Sequence, residues 1–229
     1  MKSKPILVVF ITLLPIVAST VTRADSWHKL FTEDGPPKGW VVTEWNDLAK
    51  HATVGVEWTV KEGILHSGEQ RGTWLISEKE YSDFILECEI KLTEHGNSGI
   101  ALRAPMSDDP AFVGMEMQCA DFRYNTDAKP FELTGAIYRA IAPIKQVYKP
   151  LEWNKFHIKL RGTRLKATLN GVLIQDVDLT TLDKPTKRHD GSDAVPLKDR
   201  QLKGHIGFQH LSRDNEPVLI RNVRIKELK

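Results

Sequence analysis

One stretch of the chain concentrates side chains able to do chemistry. Residues 95–121 read HGNSGIALRAPMSDDPAFVGMEMQCAD. Within it, residues 98–103 and 114–119 alternate large apolar with small or polar residues, the period-two pattern of strands with one buried face. Met115, Met117 and Cys119 share one face of the second run, which leaves Glu116 and Gln118 on the other. In the first run Ile100 and Leu102 point one way, Ala101 and Arg103 the other. A carboxylate, a carboxamide and a guanidinium are therefore expected on one sheet face, with Asn97 at its rim. Such a set can remove a proton, hold a developing oxyanion and bind hydroxyls.

A pair of carboxylates also raises the question of ordinary glycoside hydrolysis. Glu116 and Asp121 are poorly placed for it: five extended residues span about 16 Å, against the roughly 5–10 Å such mechanisms use. They also have opposite parity along the strand. Glu87 and Glu89 share a face of the strand over residues 84–92, opposite Phe84, Leu86, Cys88, Ile90 and Leu92.

The elements that would position these groups are short strands. Alternation and turn residues mark strands near residues 54–60, 64–66, 72–76, 84–92, 134–138, 153–160, 204–209 and 218–228. Asn170-Gly171 between two apolar runs is a type I′ hairpin signal. Residues 180–203 are polar and aperiodic, and read as a long surface loop. No amphipathic helix of ordinary length stands out. About a dozen strands with turns between them predict an all-β antiparallel sandwich.

The chain has 229 residues and a net charge of +2, with basic residues scattered along it. That argues against nucleic acid as the main partner. Lys2 and Lys4, the apolar run 6–18 and Ala24 follow the order of a secretory signal. Residues 1–24 are expected to be a signal peptide, and residues 25–229 a single secreted or periplasmic domain without a membrane span after cleavage. Cys88 and Cys119, the two cysteines, are expected in the core as buried thiols or as a disulfide.

Several stretches, taken in order, resemble the 3-keto-disaccharide hydrolase domain family. They are Tyr81-Ser82-Asp83-Phe84 with Glu89, Asn97-Ser98-Gly99-Ile100 with Arg103, Gly114-Met115-Glu116-Met117-Gln118 with Asp121, and Thr134-Gly135-Ala136-Ile137-Tyr138. Trp153-Asn154, Leu169-Asn170-Gly171, Gly204-His205-Ile206-Gly207-Phe208-Gln209-His210 and Arg221-Asn222-Val223-Arg224-Ile225 continue the series. The resemblance implies a concanavalin A-like jelly-roll sandwich, akin to lectins and glucanases. It also implies cleavage of 3-keto-glycosides. The C3 ketone acidifies the C2 hydrogen, a base removes it, and the aglycone leaves C1.

On that reading Glu116 or Glu89 is the base, Arg103 or a bound cation stabilises the enolate, and His210 or Tyr138 donates a proton. Asn97, Gln118 and Gln209 bind sugar hydroxyls, while Asp121 holds a loop, the substrate or a calcium-like divalent cation. The competing readings are a non-catalytic carbohydrate-binding module and a structural domain without a ligand.

Overall fold

The computed structural model describes residues 26–52, 57–214 and 216–229. The expected signal, and residues 54–56 of one expected strand, lie outside these. Among the described residues fourteen strands follow one another: β1 His28–Lys29, β2 Trp40–Glu44, β3 Asp47–His51, β4 Thr59–Lys61, β5 Ile64–His66, β6 Thr73–Tyr81, β7 Phe84–Lys91, β8 Asn97–Ala104, β9 Met115–Ala120, β10 Asn154–Arg161, β11 Arg164–Leu169, β12 Val172–Asp178, β13 Gly204–His210 and β14 Leu219–Glu227. A four-residue helix, α1 (Pro110–Val113), separates β8 from β9.

The strands form two antiparallel sheets. One runs β12-β11-β10-β7-β14-β5-β4, with β1 added against β14; the other runs β3-β2-β6-β13-β8-β9. They pack face to face as a sandwich, the all-β architecture expected. Alternation produces the core. Phe84, Leu86, Cys88 and Ile90 of β7 and Phe156, Ile158 and Leu160 of β10 meet Leu75, Ile100, Leu102, Met115, Met117 and Phe208 of the second sheet. Cys88 and Cys119 join this core from opposite sheets as free thiols, each 1% exposed. Asn170 and Gly171 have φ of 52° and 80°, the two left-handed residues that a type I′ turn requires.

Three local readings change. Residues 134–138 do not form a regular strand, because Gly135 at φ 89° breaks the run. They still cover the edge of β9: Tyr138 N–H donates to Glu116 O and Gln118 N–H to Ala136 O, each at 2.9 Å. The segment 180–203 is not purely surface, since Thr186, Ala194, Leu197 and Arg200 are buried. Its polar composition hides this, because Arg200 is held by carbonyls: its guanidinium donates to Val195 O, Ala111 O and Gly114 O.

Arg103 is the third. Period-two parity put it beside Glu116, but it sits at an irregularity in the β8–β13 pairing with φ 52°, so its side chain leaves the expected face. Fully buried, it closes one end of the sandwich. Nε donates to Ser82 O (2.7 Å), Nη1 to Gly162 O (2.7 Å) and Nη2 to Asp83 Oδ1 (3.1 Å). Arg103→Ala strands these acceptors and the Asp83 carboxylate. It is expected to destabilise the fold by about 3–5 kcal/mol, measured by urea denaturation. A loss below about 1 kcal/mol would contradict this role.

Candidate active site

The outer face of the six-stranded sheet forms the floor of a cavity of about 630 Å³. Register fixes its rows. Glu116 lies opposite Ala101, Ala101 opposite Gly207, and Gly207 opposite Ile76. In the next row Gln118 lies opposite Gly99, and Gln209 opposite Trp74. Small residues in the middle leave a trough, and the Glu116 side chain lies in it. A Cβ on Gly99 would come within 2.0 Å of Glu116 Oε1 and 2.7 Å of its Cδ, so glycine there is what makes room for the carboxylate.

The loops around this floor build the walls. Glu44, Trp45 and Asn46 come from the β2–β3 turn, Gln70, Arg71 and Gly72 precede β6, and Asn97 begins β8. Asp109, Tyr124, Tyr138, His189 and Leu211 complete the wall. Asp109 is the N-cap of α1, its Oδ1 accepting Ala111 N–H at 3.0 Å. Pro110 follows at the first helical position, where its fixed φ suits the turn. Arg200 braces the far end of α1 through Ala111 O and Gly114 O. His189 is set by its neighbour: Arg188 grips Asp108 through two hydrogen bonds of 3.0 and 2.7 Å. The imidazole then stands edge-on to Phe112 (5.4 Å) and tilted against Tyr138 (6.0 Å).

The electrostatics are those of two buried acids. Glu116 is 4% exposed, and none of the ion pairs among the described residues involves it. Burial raises its carboxyl well above the ordinary 4.5, and the Asp109 charge adds to this. Burial pushes Asp109 up to about 6, against the stabilising Ala111 N–H and Arg188. Tyr138 is raised by burial and then by Glu116, so its hydroxyl stays protonated. Burial, then Arg139, lowers His189. Asn97 Oδ1 is buried without a hydrogen-bond partner among the described residues, an acceptor left for a ligand to satisfy.

A family profile for the 3-keto-alpha-glucoside-1,2-lyase-like domain matches residues 26–226. The chain belongs to this family. Among solved structures, a candidate glycosyl hydrolase from Parabacteroides distasonis is similar at 27% identity and a TM-score of 0.72, covering 89% of this chain and 100% of that one. A second from the same organism is 22% identical, with a TM-score of 0.67 and coverage of 89% and 94%. A laminarinase from Rhodothermus marinus shares the fold at 12% identity and a TM-score of 0.53, covering 90% and 99%. No curated protein matches. The family relationship makes this a carbohydrate-active protein.

Within this lyase-like domain the expected residues divide. Glu116, Gln118, Asn97, Gln209 and Tyr138 line one cavity. Arg103 does not reach it. Glu89 lies on the other sheet, where Arg221 Nε (2.8 Å) and Asn222 Nδ2 (3.1 Å) engage it. His210 has the opposite parity to Gln209 and is fully buried, with Nε2 donating to Glu216 O at 3.1 Å. Asp121 gives both carboxylate oxygens to Arg123. Among the described residues no group of three or more His, Cys, Asp or Glu is placed to hold a metal ion.

Sequence reasoning missed Asp109, His189, Trp45 and Arg71. Asp-Pro at 109–110 is a helix-start signal that could have placed Asp109. His189 sits in aperiodic sequence and carried no such signal.

The buried acid has a stability signature. Because the folded state raises the Glu116 midpoint, its contribution is complete below about 4.5 and is lost as pH rises toward the folded midpoint. Glu116→Gln escapes this loss. Its melting temperature should exceed that of the wild type at pH 8 by more than at pH 4.5, and a gap that shrinks with rising pH would contradict burial of the charge.

Proposed function

We propose that this exported domain cleaves glycosides whose sugar is oxidised at C3, by elimination and rehydration. The observation that carries the reading is a carboxylic acid, Glu116, buried over Gly99 in a cavity rich in amides, phenols and a second acid. Removing a hydrogen beside a ketone needs a base and hydrogen-bond donors for the enolate oxygen, all held away from water. The cavity holds both kinds of group. Loss of the C2 proton forms the enolate. Its electrons then form the C1–C2 double bond as the C1–O bond breaks, and the aglycone oxygen takes a proton. Water adding to C1, with a proton returning to C2, gives the free 3-keto sugar.

Gln118 and Gln209 face the bound ring from the floor, and Asn97 Oδ1 is ready to accept a sugar hydroxyl. A carbohydrate-binding module would be served by these amides and by the aromatic walls alone. It leaves the two buried acids unexplained, since each costs stability. Export is part of the proposal on the strength of residues 2–24, whose basic, apolar, small-residue order is that of a signal.

The test is a substrate panel: 3-keto-trehalose, 3-keto-glucosides and the same glycosides with C3 as an alcohol, followed by product analysis. Cleavage of the keto compounds at least a hundredfold faster than of the alcohols is expected. Equal rates, or cleavage of the alcohols alone, would refute the reading in favour of ordinary hydrolysis.

A further inference from the structure

We propose that Asp109 is the base that takes the C2 proton, and that Glu116 stays protonated and, with the Tyr138 hydroxyl, donates a hydrogen bond to the enolate oxygen. The assignment rests on the elimination reading above and fixes which acid does what.

The geometry separates the two acids. Asp109 sits at the start of α1, where its Oδ1 accepts Ala111 N–H at 3.0 Å, a bond that favours the ionised form. Next to it the Arg188 guanidinium is anchored on Asp108. That cation offsets part of the Asp108 charge, which on its own would raise Asp109 further. Glu116 has neither aid. It lies on the sheet floor, is 4% exposed, and faces Asp109, the phenol of Tyr138 and the uncharged row of Gly99 and Ala101. His189, uncharged once burial lowers it, lines the same cavity, as do Arg71 and Glu44.

Two carboxylates sharing a cavity cannot both ionise cheaply, so one of them keeps its proton. The site with the N–H donor ionises first, and the proton stays on Glu116. A carboxylic acid kept neutral by burial is a strong hydrogen-bond donor to an enolate, and a carboxylate poised near neutrality is an efficient base.

The proton balance follows. Asp109 carboxylate takes the hydrogen from C2, and the C3 oxygen gains negative charge while hydrogen-bonded to Glu116 and Tyr138. Expulsion of the aglycone discharges the enolate, and solvent supplies the proton for the leaving oxygen. While the aglycone departs, the proton on Asp109 exchanges with solvent through the cavity it lines, and as water adds to C1, Asp109 delivers a solvent-derived proton to C2.

The experiment compares two variants of the full domain in deuterated water, following hydrogen exchange at C2 of a 3-keto-glucoside by NMR. Asn is as good an N-cap as Asp, so Asp109→Asn keeps α1 while removing the base. Its exchange should fall at least a thousandfold with the melting temperature nearly unchanged. Gln at 116 can still donate a hydrogen bond, so Glu116→Gln should slow exchange by roughly ten- to a hundredfold and keep the acid limb of the pH profile near 6. Exchange that survives in Asp109→Asn but vanishes in Glu116→Gln would reverse the roles and overturn the proposal.

A second measurement needs no substrate. Carbon-13 titration of the carboxyl groups should show Asp109 ionising at lower pH than Glu116; the opposite order would overturn the assignment. Absence of C2 exchange in the wild type, with the titration order as stated, would instead count against the elimination reading itself.

Discussion

The site depends on one missing methyl group. A Cβ at residue 99 would come within 2.0 Å of the Glu116 carboxyl, and the β8–β9 register sets Glu116 and Gln118 against Ala101 and Gly99. An ionisable group is thereby held buried on the face of a sheet, at a cost that a purely structural protein would have no reason to carry. Everything else follows from keeping this acid buried yet reachable. The chain at 134–138 covers the edge of β9, α1 brings Asp109 over the floor, and Arg200 fixes the segment between the two acids.

The architecture separates stability from chemistry by sheet face. The inner faces are a continuous apolar core that includes both cysteines, whose thiols burial pushes up and keeps inert. The outer face of the eight-stranded sheet carries paired charges, such as Glu87 with Arg224 and Glu89 with Arg221. Among the described residues, the outer face of the six-stranded sheet lacks such pairing at Glu116, and loops roof it. Carboxylates on the outer face of the eight-stranded sheet are paired with cations, whereas Glu116 is buried without an ion-pair partner among the described residues.

Alternation along the chain carries most of this arrangement. The parity of Met115, Met117 and Cys119 sends Glu116 and Gln118 to the opposite face, and β7, β10, β13 and β14 fall close to where period-two runs place them. Parity failed where the backbone departs from the pleat. Arg103 lies at an irregularity and swings away, and His210 is one residue out of phase with Gln209. Period-two patterns also cannot tell which sheet a face belongs to, so Glu89 stays a second candidate behind Glu116. Asp109 and His189 are brought in by loops, whose paths are set by tertiary hydrogen bonds such as Arg188 to Asp108 rather than by any local repeat.

The central claim is that bond cleavage passes through loss of the C2 hydrogen rather than direct displacement at C1. Turnover of a 3-keto-glucoside by the wild-type domain in deuterated water, with NMR of the released sugar at early times, tests it most directly. The account predicts one deuterium at C2 in each molecule of product, after correction for uncatalysed exchange of the free ketone. Product that retains its original hydrogen at C2 would contradict it.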